Sequence, residues 1–179
     1  MNKFLIPAAF ASALLLTGCQ SSVALSGGGP ANPANPADLA FVTNADQVIM
    51  FARAEGKFAG SEAERPEVRN LAQSLVQQSN ALDAKLQPVT SQLNIKNPDI
   101  MRRDLRIRIF HVLFQHGLDF DQTYVEDQLS NHEVALAALG PVSDTSPPLT
   151  PVATQGKETI SQNAARLQAL QNQMALSPR

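Results

Sequence analysis

Leu118 to Leu139 reads LDFDQTYVEDQLSNHEVALAAL. Apolar side chains fall at Leu118, Val125, Leu129, Leu136 and Leu139, in steps of seven, four, seven and three. That spacing predicts one stripe of an amphipathic helix, about 22 residues and so roughly 33 Å long. His132 interrupts the stripe where an apolar side chain is expected. A stripe of this kind needs other helices to cover it, and the rest of the chain supplies them.

Working outward, Gly140-Pro141 ends this helix, as Gly followed by Pro should. Val142 to Pro151 is a loop. A last helix is expected from Val152 to Ala175, with Ala153, Gly156, Ile160, Asn163, Leu167, Leu170 and Met174 stepping by three and four. Upstream, Gly117 breaks the chain. Asn97-Pro98-Asp99 offers an N-cap and a first-position Pro, which predicts a short helix from Pro98 to His116. It carries Arg102, Arg103, Arg106 and Arg108, a set that suits docking on anionic lipid or on a partner, or a solvated face whose stems cover apolar surface. His111 and His116 on that helix splay apart and do not share a metal. Pro66 fits the start of another helix, whose seam Val68, Ala72, Leu75, Ser79, Leu82, Leu86, Val89 and Leu93 is coiled-coil-like. Pro88 lies late in it, where a kink is expected. The first helix is expected at Asp38 to Ala59, with Val42, Ala45, Ile49, Ala52, Gly56 and Ala59 as a stripe of mostly small residues that lets a partner approach closely, widened by Phe41, Val48, Phe51 and Phe58.

Four long stripes with a shorter basic helix in the crossover predict an all-α four-helix bundle. The chain has 179 residues, enough for one domain with its own core. With 14 basic and 16 acidic residues and a formal charge of −2, it is too balanced for a nucleic-acid binder. One cysteine excludes an internal disulfide.

That cysteine is informative. Met1 to Leu16 reads MNKFLIPAAFASALLL, a positive Lys3 and an apolar run too short to span a bilayer but suited to a secretory signal. Leu16-Thr17-Gly18-Cys19 follows and resembles the bacterial lipobox. The resemblance implies a signal peptide at 1–18, cleavage before Cys19, and acylation (palmitate included) of its sulfur and new amine. Several acyl chains on one residue hold a protein far more firmly than one. Gln20, where Asp implies inner-membrane retention, favours an outer-membrane lipoprotein facing the periplasm. Ser21 to Ala37, rich in Gly, Pro, Asn and Ser, reads as a tether, so residues 19–37 are expected to be acylated Cys and linker and 38–179 the bundle.

Three seams each hold one polar residue near their middle: Ser79, His132 and Asn163. They could share one layer of the core. A hydrogen-bonded layer fixing helix register, a small-molecule pocket and a metal site all remain open. The layer offers one imidazole, one hydroxyl and one amide. Glu133 points about 100° from His132 and Asp121 lies roughly 16 Å along the axis. No Glu-x-x-His pair is present.

Glu55-Gly56-Lys57-Phe58-Ala59, Pro66-Glu67-Val68 through Leu71-Ala72-Gln73, and Phe120-Asp121-Gln122-Thr123-Tyr124 through His132-Glu133 are similar to the ferritin-like family known as domain of unknown function 4142, over roughly Leu39 to Met174. The resemblance implies a ferritin-like four-helix bundle in the bacterial envelope. The family pattern places a carboxylate on the first helix and a His on the second, third and last. Those positions here hold Ala52, Ser79, His132 and Asn163, so only His132 matches. The expectation is a non-enzymatic binding or structural component of the envelope, with no cofactor, no bound metal, the membrane as partner through Cys19, and an envelope protein as a further partner. The alternative is a degenerate ferritin-like metal-binding or redox protein.

Overall fold

A computed structural model describes residues 35–176. The signal, Cys19 and most of the tether lie outside the described residues. Among the described residues five α-helices follow in order: α1 (Pro36–Glu62), α2 (Pro66–Gln92), α3 (Arg103–Leu113), α4 (Gly117–Ala138) and α5 (Thr150–Leu176), with a short 3-10 turn at Val142–Asp144.

Helix starts follow local chemistry, with departures from expectation at α1, α3 and α5, the last beginning at Thr150 and not Val152. α1 begins at Pro36, so the linker gives up Pro36 and Ala37 to the bundle. Asn35 is its N-cap, accepting a hydrogen bond from the Ala37 amide at 3.0 Å, and Pro36 takes the position where its missing N–H costs nothing. Asn97-Pro98 presents the same pair yet starts no helix; α3 begins five residues later. The segment in between is held by Gln47 of α1. Its Oε1 accepts from the Arg102 amide at 2.8 Å, and its Nε2 donates to the Ile100 carbonyl at 3.4 Å. A tertiary clamp outweighs a local cap here. α2 starts at Pro66 and continues past Pro88 to Gln92. Gly140, with φ of 60°, stands just beyond α4 in a conformation that favours glycine.

Cross-helix hydrogen bonds give the topology. Asn44 of α1 reaches the Ala138 carbonyl at the end of α4, and the Glu64 amide just past α1 reaches Asp121 near the start of α4; α1 and α4 are antiparallel. Lys85 to Gln155 and Arg166 to Ser74 set α2 against α5 in the same way. The short connections make α1–α2 and α4–α5 antiparallel too, and all four pairs are packed together. α2 and α4 therefore run the same way, and α3 carries the chain back between them along α1 and α4. This is an all-α bundle with one long crossover, the connectivity of ferritin-like bundles.

Two apolar clusters fill it. One joins Phe41, Val42, Ile49, Leu82, Leu86, Leu149, Ala153 and Ile160. The other joins Val68, Leu71, Leu75, Phe120, Tyr124, Val125 and Leu167. Leu75, Leu86 and Leu167 are fully buried, and each such side chain contributes about 2 kcal/mol by leaving water. The α2 and α5 seams face inward nearly as expected. Phe58 does not: it is exposed. Leu118 and Leu136 of α4 are only half-buried.

Buried polar side chains fasten the connections. Asp121 accepts the Glu64 and Arg65 amides at 2.9 and 2.7 Å, closing the α1–α2 turn. Asp38 accepts the Ser146 amide at 2.7 Å, closing the α4–α5 loop. Gln47 holds the approach to α3. Among the described residues no helix is long and apolar enough to cross a membrane.

Candidate functional site

The boundary between the two clusters is polar. On α1, Ala52, Glu55 and Gly56 lie between Ile49 of one cluster and Ala59 of the other. On α2, Ser79 lies between Leu82 and Leu75. On α4, Gln128 and His132 lie between Ala135 and Val125, and on α5 Asn163 lies between Ile160 and Leu167. Ser79, His132 and Asn163 thus stand at one level, each buried. No hydrogen bond joins any two of them among the described residues. The bond that crosses the layer runs elsewhere: Gln128 Nε2 donates to Glu55 Oε2 at 2.7 Å, between two side chains with almost no exposure.

The His132 ring is fixed from its own helix. Nδ1 lies 2.8 Å from the Gln128 carbonyl. A carbonyl only accepts, so Nδ1 carries the proton and Nε2 the lone pair. Burial pushes the imidazole down to about 4, so it stays neutral over the physiological range. Glu55 is shifted the other way. Burial pushes its carboxyl up to about 8; the Gln128 bond and nearby Arg108 favour the charged form and Asp127 opposes it, but desolvation wins. Burial, with Glu55 adding to it, also raises the Tyr124 phenol well above its usual range. Near neutral pH the layer is therefore a neutral acid, a neutral imidazole, a phenol and amides.

Four oxygens there have no hydrogen-bond partner among the described residues: Glu55 Oε1, Tyr124 Oη, Gln128 Oε1 and Asn163 Oδ1. Each costs about 1–3 kcal/mol when left so. Gly56 shapes this space. A Cβ there would stand 2.8 Å from Val76 Cγ2, 3.3 Å from the Ala72 carbonyl and 3.6 Å from Tyr124 Oη. The missing side chain is what lets α1 close on α2.

The fold family implies a metal, and the donors can be tested against one. A transition-metal site in a bundle uses three or four strong ligands. This layer offers one imidazole nitrogen and one carboxyl held protonated, and the remainder are neutral oxygens. No group of three or more His, Cys, Asp or Glu that could hold an ion occurs among the described residues. The donor set does not fit.

The four arginines of the crossover do not act together. Arg108 turns inward, its Nε and Nη2 reaching Asp127 Oδ1 at 3.0 and 2.9 Å, with its guanidinium 5.2 Å above the Phe51 ring. Arg102 pairs with Asp104 at 3.2 Å. Arg103 and Arg106 face solvent. Cys19 lies outside the described residues.

Sequence periodicity missed Glu55, Tyr124 and Gln128 as layer residues. The signal was present: Val48, Ala52, Glu55 and Ala59 step by four, three and four, and Asp121, Val125, Gln128, His132 and Ala135 do likewise. The buried face of α4 is centred on these polar positions, beside the leucine stripe, so apolar spacing points to its edge.

No curated protein and no solved structure matches the chain. The sequence model of the family described as "Domain of unknown function (DUF4142)" matches residues 24–170, most of the chain. This chain, a helical bundle whose two cores are parted by the Glu55–Gln128–His132 layer, belongs to that family.

Proposed function

We propose that the protein is a lipid-anchored, non-catalytic bundle of the bacterial envelope, held through acylated Cys19 on the periplasmic face of the outer membrane, where it binds or braces an envelope component. The observation that carries this is Leu16-Thr17-Gly18-Cys19 directly behind a short apolar run with Lys3 before it. In the bundle, the neutral layer sets the helix register, and it offers no nucleophile–base pair. The test is mass spectrometry of the protein from bacterial membranes. The expected result is a chain starting at Cys19 with added acyl mass, lost together with membrane association in Cys19→Ser. A chain retaining residues 1–18, or a wild type that stays in the soluble fraction, sinks the reading.

A second reading, in which the layer takes a small polar molecule, is favoured by the four unpartnered oxygens. Native mass spectrometry of protein purified without chelator separates the two. Bare polypeptide mass supports a structural layer; a stoichiometric adduct lost in Glu55→Leu and Asn163→Leu supports binding.

A further inference from the structure

α3 is apolar on both sides. Its inward side presents Leu105 and Val112, both fully buried against the bundle. Ile107, Phe110 and Phe114, with Arg103 one turn before, lie within about 40° of the opposite direction at 100° per residue. These three apolar side chains are 56%, 63% and 78% exposed, and Ile100 just upstream is 68% exposed. Half of the exposed large apolar side chains among the described residues thus fall in this one short segment. Isolated exposed side chains need no explanation, but a contiguous stripe does.

The charges on this face narrow the occupant. Arg102 is engaged by Asp104, and Arg108 by Asp127. Arg103 and Arg106 remain on the outer face beside the phenylalanines. Cationic side chains flanking an aromatic and aliphatic stripe are what a helix lying in a lipid interface presents. At 11 residues α3 can lie on a bilayer but not cross it. The tether allows it. Fifteen residues separate Cys19 from Asn35, a reach of up to about 50 Å, while α1, along which α3 packs, is roughly 40 Å long.

We propose that the outer face of α3 and its C-cap, formed by Arg103, Arg106, Ile107, Phe110 and the capping Phe114, docks on an anionic lipid surface and lays the bundle against the membrane that holds its anchor. The nearness of a membrane rests on the proposed acylation of Cys19; the face itself does not.

The chain contains no Trp, so a single introduced Trp reports position. Phe114→Trp is made in the full chain, produced in a bacterial host and reconstituted in phosphatidylethanolamine–phosphatidylglycerol vesicles with brominated acyl chains. Lys85→Trp, on the far side of the bundle, is the control. The expected result is a blue-shifted emission quenched by the brominated lipid at position 114 and not at 85, with the quenching lost when Arg103→Glu and Arg106→Glu are added. Emission at 114 that is unquenched, or quenched equally at 85, overturns the proposal. So does a blue shift that appears without vesicles and grows with protein concentration, which assigns the face to a second copy of the chain. Mass spectrometry of the same preparation reads acylation separately. An unacylated chain still quenched at 114 keeps the docking face and removes only the anchor; an acylated chain without quenching removes the docking face.

Discussion

Asp121, near one end of the bundle, accepts two backbone amides at 2.9 and 2.7 Å. Glu55, at its middle, accepts one side-chain amide and leaves its second oxygen without a partner among the described residues. Both carboxyls are buried, yet they do different things. At the ends, Asp38, Asp121 and the amide of Gln47 replace the hydrogen bonds that loop backbone would otherwise make to water; burial still raises the Asp121 carboxyl, against the two amides that favour its charged form. In the middle, polar atoms are buried beyond what their neighbours satisfy, and the acid responds by keeping its proton. Buried polarity at the ends fastens the fold. In the middle it is tolerated by the fold, and such a group is where binding or register is to be sought.

The comparison breaks most readily at Asp121. Asp121→Ala strands two part-buried amides and is expected to cost about 2 kcal/mol in urea unfolding; a loss below about 0.5 kcal/mol would mean the turn does not depend on it. Asp38→Ala strands one amide, and about half that loss is expected.

The middle is tested by pH. Glu55 in the layer, and Asp46, buried nine residues earlier on α1 and outside the layer, have folded-state values raised to about 8 and about 6, burial being the largest cause in both. The folded state therefore holds these protons longer than the unfolded chain. Their contribution to stability is complete below the ordinary carboxylate range and is lost as pH rises through about 6 for Asp46 and about 8 for Glu55. His132 has the opposite sign: its value is lowered from 6.5 to about 4, so stability is lost as pH falls through that window. Between about pH 7 and 8 the Glu55 slope dominates these three. Wild type should lose on the order of 1 kcal/mol across it, and Glu55→Gln should be nearly flat there. A wild-type profile that rises over that range would refute the assignment.

His132→Leu should be the mildest. It removes one bond to a carbonyl of its own helix, so stability near neutral pH should move by about 1 kcal/mol or less, with a gain at pH 5, where the unfolded wild type takes up a proton that the folded state refuses. A large loss would show that the imidazole supports neighbours such as Ser79 or Asn163.

These contrasts also mark what the sequence makes legible. The α2 and α5 seams are mostly apolar, so spacing alone finds nearly all of their buried positions. α4 buries Asp121, Gln128, Asn131 and His132, so a reading keyed to leucines lands on the edge of its face. Glu55 sits beside Gly56 on a helix and reads as solvated unless its step with Ala52 and Ala59 is followed. Asn35 and Asn97 precede Pro in the same way, but only Asn35 caps a helix, because Gln47, far away in sequence, claims the backbone after Pro98. Long-range clamps of that kind have no local signature.

Direct observation of the Glu55 carboxyl by carbon NMR in protein labelled at glutamate side chains, assigned with Glu55→Gln, is the decisive measurement. A signal that stays in the protonated position at pH 6.5 and shifts only near pH 8 is expected from a desolvated acid in the layer. A carboxylate already formed at pH 6.5 would contradict it, and would make the middle of the bundle no different in kind from its ends.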